Sequence, residues 1–135
     1  VGVVLDTNVF VTLEKRVGAF DFNVYKEHGD VFISAVTVSE LLVGIHYADT
    51  DARRARRAAF VEAVLASLDV LDFTCEIARL HAQLYVSLKR KGQLIGAHDL
   101  IIAATALYYD LPVITENLRE FERVEGLQVL PPPMS

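Results

Sequence analysis

The sequence predicts an α/β protein, a three-layer α/β/α sandwich around a largely parallel sheet of about five strands. Three observations carry this. Short apolar or β-branched runs alternate with helical patterns along the chain, which sets a helix between successive strands and makes the sheet parallel. Several of those runs are apolar at every position, not at every second one, as strands covered on both faces require. Finally, 135 residues of which 53% are hydrophobic make one domain with a core of its own.

The elements follow in order. Gly2–Leu5 is the first strand and Asp6-Thr7-Asn8 ends it; residues 31–34 form the second. Thr37-Val38-Ser39-Glu40 has the spacing of a capping box and opens a helix over 38–47. A helix over 52–68 leads to a third strand at 70–73. The clearest helix covers 75–91: Ile77, Ala78, Leu80, Leu84, Tyr85 and Leu88 recur at helical spacing, Thr74 caps it, and Lys89-Arg90-Lys91-Gly92 stops it. A helix at 99–109, a strand at 113–115, a short helix at 118–123 and a strand at 127–130 complete the domain, residues 1–130. Residues 131–135, with three consecutive prolines, form a loose tail.

Composition excludes several classes. No apolar run approaches the ~18 residues of a membrane span, and residues 1–6 lack the basic flank and apolar stretch of a signal peptide. The single cysteine, Cys75, allows neither an internal disulfide nor a Cys-built zinc site, which fits a cytoplasmic protein with no membrane attachment. Thirteen Lys and Arg against eighteen Asp and Glu leave a net charge of −5. Bulk positive charge is therefore not how this chain would hold a polyanion; local basic patches or metal ions would have to.

In a parallel sheet, strand C-termini and helix N-termini meet along one edge, where ligands bind. Asp6, Glu40, Asp99 and the pair Glu116 and Glu120 all fall there, with Thr7, Thr115 and Asn117 beside them. Each has an ordinary structural explanation: a capping box for Glu40, a helix dipole for Asp99, an Asx turn for Asp6. Capping, however, gives no reason for Asp6 to end a wholly apolar strand. Crowded carboxylates repel one another unless a cation sits among them. Oxygen donors with few imidazoles favour Mg²⁺ or Mn²⁺ over zinc, and such ions act on phosphodiesters.

Four segments carry a family resemblance: Val3-Val4-Leu5-Asp6-Thr7-Asn8; Ser39-Glu40-Leu41-Leu42-Val43-Gly44; His98-Asp99-Leu100-Ile101-Ile102-Ala103-Ala104-Thr105-Ala106; and Val113-Ile114-Thr115-Glu116-Asn117-Leu118-Arg119-Glu120-Phe121. Together they resemble the PIN-domain ribonucleases, and among these the VapC toxins of bacterial toxin–antitoxin pairs, over nearly the whole chain. The resemblance implies a Mg²⁺- or Mn²⁺-dependent endoribonuclease that cuts tRNA or rRNA to inhibit translation. By motif position Asp6, Glu40 and Asp99 would be the catalytic, metal-binding acids. The fourth falls at Glu120, where relatives often carry Asp, with Glu116 as a second candidate. Thr7, Thr115 and Asn117 match supporting polar positions. A homodimer and a small VapB-like antitoxin whose C-terminal segment blocks the active site are also implied, with DNA reached only through the antitoxin.

Other signals carry less. Arg53-Arg54-Ala55-Arg56-Arg57 reads as a solvated helix face. Lys89-Arg90-Lys91 suits a helix C-terminus and is equally placed, just before Asp99, to contact RNA. His98-Asp99 lacks the further histidines of helical metal phosphohydrolases, and His28, His46 and His81 show no ligand spacing. Gly92-Gln93-Leu94-Ile95-Gly96 fits no phosphate-loop pattern. Phe10, Phe20, Phe22 and Tyr25 read as packing a core or a dimer surface. Two competing functions are a receiver-like module, for which Asp72 is available but no lysine follows Arg123, and an inert binding module on the same fold. An RNA-processing nuclease outside toxin–antitoxin biology is a third.

Overall fold

The computed structural model describes residues 1–15 and 22–133. The strands are β1 (Gly2–Leu5), β2 (Asp30–Ser34), β3 (Asp69–Leu71), β4 (Val113–Ile114) and β5 (Val129–Leu130). The helices are α1 (Thr7–Lys15), α2 (Ala35–His46), α3 (Asp51–Ser67), α4 (Cys75–Arg90), α5 (Ala97–Tyr108) and α6 (Leu118–Phe121), with short 3-10 turns at Phe22–Val24 and Lys26–His28. All strand pairs are parallel, in the order β3-β2-β1-β4-β5.

That order decides which helices lie on which face. The chain steps one way from β1 to β2 to β3, then crosses back over β1 to β4 and β5. Right-handed crossovers put helices of the two directions on opposite faces. Side chains of α1, α2 and α3 (Val9, Phe10, Leu41, Val61, Val64) accordingly pack with Val3, Leu5, Val31, Ile33 and Ile114. Those of α4, α5 and α6 (Leu88, Leu100, Ile102, Ala103, Phe121) pack with the alternate residues Val4 and Val113. Successive residues of β1 thus enter different cores, which is why its sequence shows no alternation. Among the described residues no helix is long and apolar enough to cross a membrane.

Two expectations are corrected, and one further element appears. The segment after Asp6, unassigned from sequence, is a nine-residue helix, α1. Thr7, Val9, Val11 and Thr12 are β-branched and poor helix formers, so burial of Val9 and Phe10 drives it. The helix α2 begins at Ala35, capped by Ser34 Oγ, which accepts the Val36 N–H at 3.2 Å. Ser34 both ends β2 and caps α2, so Thr37-x-x-Glu40 lies within the helix and is no capping box. At the sheet edge, β3 stops at Leu71; Phe73 is exposed and packs edge-on against His81.

The basic run on α3 is engaged at the surface. Arg53 grips Asp49 at 2.7 Å, Arg54 pairs with Asp51 at 2.9 Å, and Arg57 reaches the Gly44 carbonyl at 2.8 Å and Glu14 at 3.2 Å. Phe10 and Tyr25 are core residues. Phe20 and the side chain of Phe22 lie outside the described residues, as do Met134 and Ser135 of the tail. Pro131, Pro132 and Pro133 carry no regular structure.

Candidate active site

The site forms where the strand order reverses beside β1, at the C-terminal ends of β1 and β4. The Asp6 N–H donates to the Ile114 carbonyl at 2.9 Å, and the Thr115 N–H to that of Leu130 at 3.1 Å. Each strand therefore keeps its ladder for one residue beyond its end, which holds Asp6 and Thr115 side by side. The Thr115 hydroxyl donates to Asp6 Oδ2 at 2.8 Å and accepts the Asn117 N–H at 2.9 Å and Asn8 Nδ2 at 3.3 Å. The Thr7 N–H donates to Asp6 Oδ1 at 2.7 Å. Asp6 is only 3% exposed, an unusual place for a carboxylate. Burial raises its pKa; the Thr115 hydroxyl and Thr7 N–H pull it back, and the charges of Glu40 and Glu120 raise it further.

Three more acids approach from other segments. Glu40, on α2, accepts the Thr7 hydroxyl on Oε1 at 2.7 Å, while its Oε2 lies 3.3 Å from His98 Nδ1. Asp99 sits in the first turn of α5. Glu120, on α6, accepts the Gly96 N–H on Oε1 at 2.6 Å and the Asn117 side-chain amide on Oε2. Partial burial, the charges of Asp6 and Glu120, a hydrogen bond with Glu120 and the charge of Glu40 push Asp99 up to about 7. Asp99 thus keeps its proton well above the ordinary carboxylate range, first because it is partly buried and then because three other acids crowd it.

The two candidates for the fourth acid meet different partners. Glu116 turns away and accepts the Thr12 hydroxyl on both oxygens, at 2.9 and 2.8 Å, whereas Glu120 joins Asp99. Gly96 makes room for that pair. A Cβ there would stand 3.3 Å from Asp99 Oδ2 and 3.5 Å from Glu120 Oε1. Its φ of −56° and ψ of 148° suit any residue, so a side chain there would act only by crowding the Asp99 carboxylate. Glu40, Gly96, Ala97, His98 and Asp99 line an open cavity of about 310 Å³.

Among the described residues, no group of three or more Asp, Glu, His or Cys side chains is spaced so as to hold a metal ion. Their oxygens are instead turned toward hydroxyl, amide and backbone donors. In chemical type, though not in spacing, the donor set suits a hard divalent cation. It is almost wholly carboxylate oxygen, and burial together with the charges of its neighbours raises the pKa of Asp99, a charge repulsion that a cation would relieve. Lys89 and Arg90 end α4 and Lys91 follows it: Lys89 Nζ is over the Tyr85 ring at 5.7 Å, and Arg90 and Lys91 line a surface groove of about 620 Å³.

Sequence reasoning missed three participants. Thr37, assigned to capping, is fully buried with its hydroxyl 3.0 Å from that of Thr7. His98 has no partner histidines, but its neighbour is the Glu40 carboxylate; its place before Asp99 is the available signal. The Gly96 backbone N–H had none, because the sequence does not show which carboxylate a backbone donor will meet.

Residues 3–127 match the PIN domain family. The chain is similar to the ribonuclease VapC of Rickettsia bellii, 32% identical across 98% of both chains. It is also similar to the tRNA(fMet)-specific endonuclease VapC of Shigella flexneri, 34% identical across 92% of both. Among solved structures it resembles the DNA-bound VapBC from Salmonella typhimurium, with a TM-score of 0.85, 32% identity, and coverage of 97% of this chain and 98% of that one.

Proposed function

This chain belongs to the PIN-domain family, among the VapC ribonucleases, and from that premise we propose that it is a Mg²⁺- or Mn²⁺-dependent endoribonuclease, the toxin of a toxin–antitoxin pair. The observation that carries the reading is the convergence of Asp6, Glu40, Asp99 and Glu120, from four separate segments, on one rim that leaves Asp99 at about 7. A divalent ion held there would supply the positive field that a chain of net charge −5 lacks, activating water and steadying the leaving oxygen.

The chain's own groups fix the acids. Thr115 and the Thr7 N–H hold the two oxygens of Asp6, the Thr7 hydroxyl holds one of Glu40, and Gly96 and Asn117 hold Glu120. These contacts orient the acceptors before substrate arrives, which is what lets a site act without reorganising. The open cavity beside Glu40 and Asp99 is where the scissile phosphate would lie, with Lys89, Arg90 and Lys91 as candidate contacts to flanking RNA.

Purified protein is expected to cleave tRNA or rRNA when Mg²⁺ or Mn²⁺ is added and to stop when the ion is chelated. Cleavage that persists in excess chelator would overturn the reading. Expression alone in the cytoplasm should arrest growth by halting translation, and co-expression of the neighbouring small gene should relieve it. The relief rests on an antitoxin partner, as in the Salmonella typhimurium VapBC complex; a homodimer is expected as well. Harmless expression of active enzyme would point to RNA processing instead. Glu116→Gln should change cleavage by less than ~5-fold, since it loses only an exposed contact to Thr12. A loss as large as that of Glu120→Gln would reverse the assignment of the fourth acid.

A further inference from the structure

We propose that Thr37 is a positioning residue for the acidic site, acting on Glu40 through a two-hydroxyl relay with Thr7. The inference rests on the reading of Glu40 as a metal-holding acid. Thr7 Oγ1 lies 2.7 Å from Glu40 Oε1 and 3.0 Å from Thr37 Oγ1. An ionised carboxylate only accepts, and a hydroxyl has one proton to give. The Thr7 proton is therefore committed to Glu40, and the contact with Thr37 must be donated by Thr37.

The direction of the relay is thus fixed: Thr37 to Thr7 to Glu40. Thr37 lies inside α2, fully buried, and links that helix to the start of α1 across a sequence gap of thirty residues. A threonine within a helix commonly returns its hydroxyl to its own backbone; here it faces Thr7. The relay locks the Thr7 rotamer, which in turn fixes Glu40 Oε1 and leaves Oε2 on the side of His98. Thr37 is not among the residues lining the cavity, so its influence on chemistry runs through Thr7.

Four variants test this: Thr37→Val, Thr37→Ser, Thr7→Val and the Thr7→Val/Thr37→Val double. Thr37→Val should lower kcat about tenfold with KM for RNA unchanged, as the loss of one orienting hydrogen bond predicts. Thr37→Ser should stay within ~2-fold of the parent, because it keeps the donor. In the Thr7→Val background, Thr37→Val should add less than ~2-fold, since a residue acting only through Thr7 has nothing left to act on. Independently of activity, the Mn²⁺ concentration that half-saturates the rise in melting temperature should increase several-fold in Thr37→Val and not in Thr37→Ser. Should Thr37→Val fold poorly by circular dichroism, Thr37→Ala removes the same donor and should give the same pattern. The proposal is overturned if Thr37→Ser is as impaired as Thr37→Val, if the two single losses multiply, or if Mn²⁺ stabilises Thr37→Val as readily as the parent. A parent inactive on RNA would sink the nuclease reading alone, and the Mn²⁺ titration would still decide the role of Thr37.

Discussion

Asp99→Asn is expected to reduce RNA cleavage by about 10³-fold or more while leaving the fold intact, as removal of an electrostatic element central to a metal-assisted site should. The fold should survive because the substitution imitates a state the native protein already favours. With Asp99 held at about 7, the neutral acid donates toward Glu120, and an asparagine amide can donate in the same place. Asp99 is also crowded by Asp6 and Glu40, so removing its charge relieves repulsion. Without added metal at pH 8, the variant should therefore melt above the parent by an amount worth about 1 kcal/mol, screened as the half-open position requires. Loss of activity with unchanged or higher stability separates a functional acid from a structural one. Glu62→Gln, on the exposed face of α3, serves as the control and should alter neither quantity. A folded Asp99→Asn enzyme that cleaves RNA at the parental rate would remove Asp99 from the chemistry.

The architecture was legible because its signals are local. The unbroken apolar run of β1 reports burial on both faces, and the pattern from Ile77 to Leu88 reports a helix with one buried side. The rim position of Asp6, Glu40, Asp99 and Glu120 followed from topology alone, since parallel strands send their C-termini to one edge. What stayed hidden depends on contacts between distant segments. The helix α1 has the β-branched composition of a strand, and only the pocket waiting for Phe10 decides in favour of a helix. Thr37 and Glu40 have the spacing of a capping box, and only the absence of any loop between Ser34 and Ala35 moves the cap upstream and frees Thr37 for Thr7. The choice between Glu116 and Glu120 turns on which carboxylate meets the Gly96 N–H and which meets Thr12. No spacing rule records that.

The second large effect is on stability, and its sign separates this site from ordinary surface acids. Asp99 has an ordinary pKa of 3.8 and is raised to about 7 when folded. Between those values the native state holds a proton that the unfolded chain has released, so stability must fall as pH rises. The contribution is fully present below 3.8 and is lost as pH passes about 7. At ~1.4 kcal/mol per pH unit the span would reach ~4 kcal/mol, and screening at a half-open rim brings it to about 1–2 kcal/mol. Asp6, raised by its burial, acts in the same direction. Asp49 acts oppositely, because its hydrogen bond and ion pair with Arg53 lower its pKa, and that contribution is lost only in acid. Metal-free protein should thus weaken from pH 5.5 to 8. On the proposed reading Mg²⁺ or Mn²⁺ would displace the Asp99 proton on binding, so the ion should stabilise more at pH 8 than at pH 5.5. At a hundred times its dissociation constant it would add ~2.7 kcal/mol, roughly 10 °C in melting temperature for a chain of this size. Asp99→Asn should flatten the pH slope to the part that Asp6 supplies and lose most of the metal response. If stability without metal climbs from pH 5.5 to 8, or if the ion shifts melting equally at both, then the four acids do not compete with a cation for one proton.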